Sequence, residues 1–100
     1  MKEIGAQELK KMIDSKEDFQ LIDVREPWEV EEVSIGGINI PMGDVILRSD
    51  EISKDKKTVI YCKAGMRSAT VINTLEQKFG YTNLFNLKGG IVEYLNNIRL

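Results

Sequence analysis

The part of the sequence best suited to chemistry surrounds its single cysteine. Cys62 comes at the end of the strand-like run 58–61, and the residues that follow it are Lys63, Ala64, Gly65, Met66, Arg67 and Ser68. A strand that ends on a cysteine, turns through a glycine and continues as a helix surrounds the sulfur with backbone N–H groups. We therefore predict that Cys62 is a nucleophile in an anion-binding loop.

The sequence also limits how this cysteine can be activated. It contains no histidine, which removes every Cys-His mechanism. Only a few per cent of an ordinary cysteine is thiolate at neutral pH, so backbone dipoles and the nearby cations Lys63 and Arg67 must stabilise the anion. Ser68 can add a hydroxyl donor. The alternative for Cys62 is a small buried hydrophobic residue, and for Lys63 a solvated surface lysine.

The small residues of the loop have a steric role. Ala64 and Gly65 leave room for the backbone to curl around an anion, and glycine can take a positive φ where the turn needs one. Met66 is expected to line the mouth of the pocket or simply to shield the loop.

Apolar spacing predicts the elements that position this loop. We expect helices over 6–13, 28–33, 67–79 and 91–98, and one helical pass over 42–48. Strands are predicted at Ile4 and over 19–24, 38–41, 58–61 and 84–87. Gly80 stands where a left-handed helix cap is expected.

Strands that alternate with helices predict an α/β fold with a mostly parallel sheet of about five strands, flanked by helices on both faces. Ligands of such sheets bind at the carboxyl ends of the strands. One of these ends carries Cys62 and another carries Asp23 and Arg25. We assign Asp23 and Arg25 to support of the loop, as an ion pair or through hydrogen bonds; an ordinary strand-end salt bridge is the alternative.

Composition restricts the remaining possibilities. The 100 residues suit one domain, over 1–100, and the net charge of −2 without long charge blocks argues against nucleic-acid binding. No apolar run approaches the roughly 20 residues of a membrane span, and the start lacks the apolar core of a secretory signal. One cysteine without histidine excludes an internal disulfide and the usual zinc sets. We expect a cytoplasmic protein with no metal and no membrane contact; the oligomeric state stays open.

Four segments, in order, resemble the single-domain rhodanese (thiosulfate sulfurtransferase-like) family: residues 21–29, 35–41, 62–68 and 87–91. The resemblance implies a rhodanese-like domain that acts as a sulfurtransferase without a cofactor. Cys62 would take sulfane sulfur from thiosulfate or another persulfide-type donor, hold it as a persulfide among the amides from Lys63 to Ser68, and pass it to a thiol, a protein thiol or cyanide. Arg67 would bind the anion and hold the loop.

Two alternatives to this function are open. The first is a binding or regulatory module that keeps the fold without catalysis. The second is a cysteine-dependent phosphatase or arsenate reductase, because phosphatases related to rhodaneses have the same architecture. Their loops have five residues between cysteine and arginine, whereas four separate Cys62 from Arg67 here. The shorter loop favours one sulfur over a tetrahedral oxyanion.

Overall fold

A computed structural model describes residues 1–98 of the chain. Its strands are β1 (Glu3–Ile4), β2 (Gln20–Asp23), β3 (Ile38–Asn39), β4 (Thr58–Tyr61) and β5 (Leu84–Leu87). Its helices are α1 (Ala6–Asp14), α2 (Pro27–Glu32), α3 (Met66–Phe79) and α4 (Gly90–Ile98), with 3₁₀ turns at Met42–Asp44 and Ser49–Glu51. The predicted domain over 1–100 includes two residues that lie outside this described part.

The sheet has five strands in the order β1-β5-β4-β2-β3, and every pair is parallel. β4 occupies the centre, where its residues are buried on both faces, and this explains its β-branched composition. Parallel strands end at one edge, so Cys62 after β4 lies between the carboxyl ends of β2 and β5. The sheet thereby places the loop in the crevice where ligands of open α/β sheets bind.

A separate apolar layer covers each face of the sheet. Val59 and Tyr61 of β4 face the layer built by α1 and α4, whereas Ile60 and Cys62 face the layer built by α3. This alternation follows from the pleat of the strand, which turns successive side chains to opposite faces. Each fully buried aliphatic side chain contributes roughly 1.5–3 kcal/mol, and both layers contain several of them. The predicted α/β fold, with helices on both faces, is confirmed, and the sheet is entirely parallel.

The segment after β3 differs from the prediction. The expected helical pass over 42–48 is a 3₁₀ turn at Met42–Asp44 followed by turn residues, and a second 3₁₀ turn comes after them. Val45 is buried, but Ile46 and Leu47 are 51% and 87% exposed, so the segment has no continuous apolar face to hold a helix on the core. The strand predicted over 38–41 ends at Asn39, ahead of Pro41, which has no N–H to donate to a ladder.

None of the helices within residues 1–98 has both the length and the hydropathy needed to cross a membrane.

Candidate active site

The Sγ atom of Cys62 lies at the N-terminus of α3 and contacts two amides and one hydroxyl. The amide of Gly65 donates to it at 3.1 Å, the amide of Ser68 lies 3.4 Å away, and the Ser68 hydroxyl is at 3.3 Å. Gly65 is the N-cap of α3 with φ of +107°, a conformation that glycine adopts without strain. The loop thus aims its amides at the sulfur itself, and Cys62 is only 1% exposed.

These donors decide the ionisation of Cys62. Burial alone would raise the pKa of the thiol, but the Ser68 hydroxyl and the amides of Ser68, Gly65 and Ala64 stabilise the anion. Their combined effect lowers the pKa of Cys62 below its ordinary value. The site therefore favours a thiolate, the form of cysteine that acts as a nucleophile.

Asn86 of β5 holds the loop from the neighbouring strand. The Ser68 hydroxyl contacts the Oδ1 atom of Asn86, and the Nδ2 atom of Asn86 donates to the Gly65 carbonyl at 3.1 Å. Ser68 and Asn86 are both buried. The predictions from sequence missed Asn86; the only local signal was a polar residue within the apolar run 84–87.

The guanidinium of Arg67 binds the carboxylate of Glu29, a residue of α2. Its Nη1 and Nη2 atoms donate to Glu29 Oε2 and Oε1 at 2.8 and 2.9 Å, a bidentate pair. Glu29 was not predicted as a site residue. A local signal existed, because Glu26 and Glu29 form a capping box at the start of α2, in which Glu29 Oε2 accepts from the Glu26 amide at 3.0 Å.

Glu29 is ionised at physiological pH. The Arg67 hydrogen bonds lower the pKa of Glu29 to about 2 against the effect of burial, with the Glu26 amide and the charges of Arg67 and Arg25 acting in the same direction. In return, Glu29 raises the pKa of Arg67. The two side chains form an ion pair beside the loop.

Asp23 and Arg25 form a second ion pair behind the first. The Nε and Nη2 atoms of Arg25 contact the Asp23 carboxylate at 2.8–3.2 Å, and the two side chains are only 2–3% exposed. Arg25 also donates to the carbonyls of Glu29 and Val33, at 3.3 and 2.8 Å. The pair therefore holds α2, which carries Glu29, against the end of β2.

The start of α4 holds the other side of the loop. The amides of Ile91 and Val92 donate to the carbonyls of Cys62 and Lys63 at 2.9 and 3.1 Å. Gly90, with φ of +63°, makes this approach possible, because a Cβ atom at this position would collide with the same two carbonyls. The backbone around Cys62 is thus fixed by β4, α3 and α4 together.

The remaining predicted site residues lie at the rim. Lys63, Ala64 and Met66 are exposed, and Met66 is 81% exposed. Within residues 1–98 the Lys63 side chain forms no hydrogen bond or ion pair. Lys63 borders a groove of about 130 Å³ together with Trp28 and Val92. The groups that contact the sulfur are amides and a hydroxyl; Lys63 contributes its backbone to the loop and its charge only from the rim.

Comparison with known proteins gives a consistent result. A family profile described as rhodanese-like domain matches residues 5–97. A sulfurtransferase of Allochromatium vinosum is 37% identical over 93 residues, which cover 92% of this chain and 86% of that protein. The Bacillus subtilis protein YtwF, provisionally named a sulfurtransferase, is 38% identical over 95 residues. The match covers 94% of this chain and 90% of that protein. The crystal structure of a rhodanese-related protein from Thermoplasma volcanium matches with a TM-score of 0.85 and 31% identity, over 98% of this chain and 94% of that one.

Proposed function

Because the chain belongs to the rhodanese-like family, we propose that it is a sulfurtransferase that carries the transferred sulfur as a persulfide on Cys62. Relatives that are named sulfurtransferases support transfer of sulfur in general. The observation that carries the finer proposal is the geometry at Sγ, which accepts from the amides of Gly65 and Ser68 beside the Ser68 hydroxyl.

The first half-reaction transfers one sulfur atom to Cys62. The thiolate attacks the outer sulfur of the donor, a new S–S bond forms at Sγ, and the S–S bond of the donor breaks. Its electron pair leaves on sulfite when the donor is thiosulfate, or on a thiolate when the donor is a persulfide. In the second half-reaction a thiol, a protein thiol or cyanide attacks the outer sulfur and restores the Cys62 thiolate.

A low thiol pKa helps both half-reactions. It supplies the attacking thiolate first, and it makes Cys62 a good leaving group when the acceptor takes the sulfur. The amides from Lys63 to Ser68 would hold the terminal persulfide sulfur, with Ala64 and Gly65 leaving room for it and Met66 at the mouth. Asp23 and Arg25 would support the loop through α2. No cofactor enters these steps, and a working free thiol suits a reducing compartment such as the cytoplasm.

The experiment is a persulfidation assay followed by intact mass spectrometry. The protein is incubated with thiosulfate or with glutathione persulfide, and we expect the mass of one added sulfur atom, removed by cyanide or by a reducing thiol. The Cys62→Ser variant is the control and should acquire no sulfur. Absence of the adduct with both donors would refute the proposal and would favour a non-catalytic binding module.

The phosphatase alternative has less support from the site. The charge of Arg67, which would have to bind the phosphate oxygens, is balanced by Glu29, and the amides of Gly65 and Ser68 point at Sγ. We expect turnover of an aryl phosphate to be far slower than sulfur transfer; the opposite order would favour the phosphatase.

A further inference from the structure

The charged groups around Cys62 are already matched to one another. Arg25 pairs with Asp23, and Arg67 pairs with Glu29, at 2.8 Å in each case. These four charges sum to zero, so ionisation of Cys62 adds a negative charge that neither ion pair compensates. Lys63 is the other basic residue of the loop, and its side chain is at the exposed rim.

Glu29 is held in place by several contacts besides Arg67. Its side chain is 10% exposed, its Oε2 atom accepts from the Glu26 amide at 3.0 Å, and Arg25 binds its carbonyl. Rotation of Glu29 away from Arg67 would leave a carboxylate buried without its cation, which is costly. Arg67 therefore has N–H groups left for a ligand, but its positive charge is already balanced by Glu29.

This pairing has a consequence for the charge of the sulfur donor. Thiosulfate is a dianion, whereas a persulfide with an uncharged alkyl group carries at most one negative charge. Attack of the Cys62 thiolate on either donor conserves charge. The leaving group is the sulfite dianion when the donor is thiosulfate, and a thiolate or, with the persulfide proton, a thiol when the donor is a persulfide. The two donors differ in the electrostatic energy of their approach to Cys62, because the thiolate repels a dianion about twice as strongly as a monoanion.

We propose that Glu29 is a specificity-determining residue that, by neutralising Arg67, selects sulfur donors of low negative charge, such as alkyl persulfides, over the thiosulfate dianion. The inference rests on the proposed function and refines its donor class. Glu29 acts through Arg67 and is a positioning residue, since it does not contact Sγ.

The test compares two donors in two variants. The rate of Cys62 persulfidation is measured in single turnovers with thiosulfate and with 2-hydroxyethyl persulfide, whose alkyl part is uncharged, for the wild type and for Glu29→Gln, which keeps an oxygen for the Glu26 amide but removes the charge. We expect the rate ratio of thiosulfate to persulfide to rise about tenfold, the size of one charge interaction at a partly exposed site, and the gain to shrink with added salt. Glu32→Gln is the matched control: Glu32 is exposed on the same helix and borders the same groove, and the ratio should change less than twofold.

The wild type provides a second measurement that does not depend on the folding of a variant. Repulsion between anions is screened by salt, so the persulfidation rate should rise with ionic strength, and more steeply for thiosulfate than for the persulfide. A thiosulfate rate that falls with salt would overturn the inference, as would an unchanged donor ratio in Glu29→Gln or an equal change in Glu32→Gln. Absence of the Cys62 persulfide with both donors would overturn the proposed function as well, so the two failures are distinguishable.

Discussion

Replacement of Gly90 by alanine should disrupt the loop from behind, without touching any group that reacts. An added Cβ atom would lie 2.6 Å from the Cys62 carbonyl oxygen and even closer to the carbonyl of Lys63, well inside normal contact distances. The neighbours cannot yield easily, because they are backbone atoms that accept hydrogen bonds from Ile91 and Val92. Relief therefore requires movement of the segment that carries Cys62.

Two costs add in the Gly90→Ala variant. Alanine in the left-handed region costs roughly 1–2 kcal/mol, and forcing extra volume into a packed site costs roughly 1–3 kcal/mol more. We expect a loss of about 2–5 kcal/mol in the free energy of unfolding. Displacement of Sγ by about 1 Å should also slow persulfidation by as much as ~100-fold, because productive attack depends on alignment.

Gly80→Ala separates the two costs. Gly80 has a similar φ of +71°, but no atom lies within 4 Å of the position of an added Cβ. This variant should lose only about 1–2 kcal/mol and should keep the persulfidation rate of the wild type. Urea unfolding and the single-turnover assay measure both quantities. Equal losses of stability in the two variants, or a normal persulfidation rate in a folded Gly90→Ala, would refute the view that α4 fixes the loop.

Two further predictions concern ionisation. Ser68→Ala should raise the pKa of the Cys62 thiol, since it removes the hydroxyl that stabilises the thiolate; alkylation by iodoacetamide as a function of pH measures this pKa, and Thr70→Ala, an exposed hydroxyl on the same helix, should leave it unchanged. An unmoved profile in Ser68→Ala would contradict the role of the hydroxyl. The pKa of Glu29, lowered from 4.5 to about 2 by Arg67, should provide roughly 3 kcal/mol of stability above pH 4.5 that disappears as the pH falls towards 2. Acid titration of the unfolding free energy should show this loss in the wild type and not in Glu29→Gln; parallel curves would contradict it.

The strands were predictable where local sequence and burial agree. Thr58–Tyr61 and Leu84–Leu87 have the predicted boundaries because these strands lie inside the sheet, where most residues are apolar and buried. The segment 42–48 misled the prediction, because its apolar residues suggested a helix although Ile46 and Leu47 face solvent. Helical spacing alone does not reveal whether a face has anything to pack against.

The contacts of the site were likewise predictable only where they are local in the sequence. The loop from Cys62 to Ser68 is contiguous, and Asp23 is only two residues from Arg25, so the relation of these groups is local and could be predicted. Glu29 lies 38 residues from Arg67, and Asn86 lies 18 residues from Ser68. Those contacts exist because the order of the strands places β2 and β5 on either side of β4, and no local pattern specifies that order.

The partner of Arg67 changes what the loop can be expected to bind. From the sequence, Arg67 is a cation for the ligand, and the four residues between it and Cys62 set the size of the guest. In the structure Arg67 forms an ion pair with Glu29. The number of residues between Cys62 and Arg67 therefore constrains the size of the ligand but not its charge. The charge depends on α2, whose position is set by Arg25 and Asp23 at the end of a different strand. A relative with an identical loop but no acid at position 29 should therefore accept more highly charged donors, although its cysteine and amides would be the same.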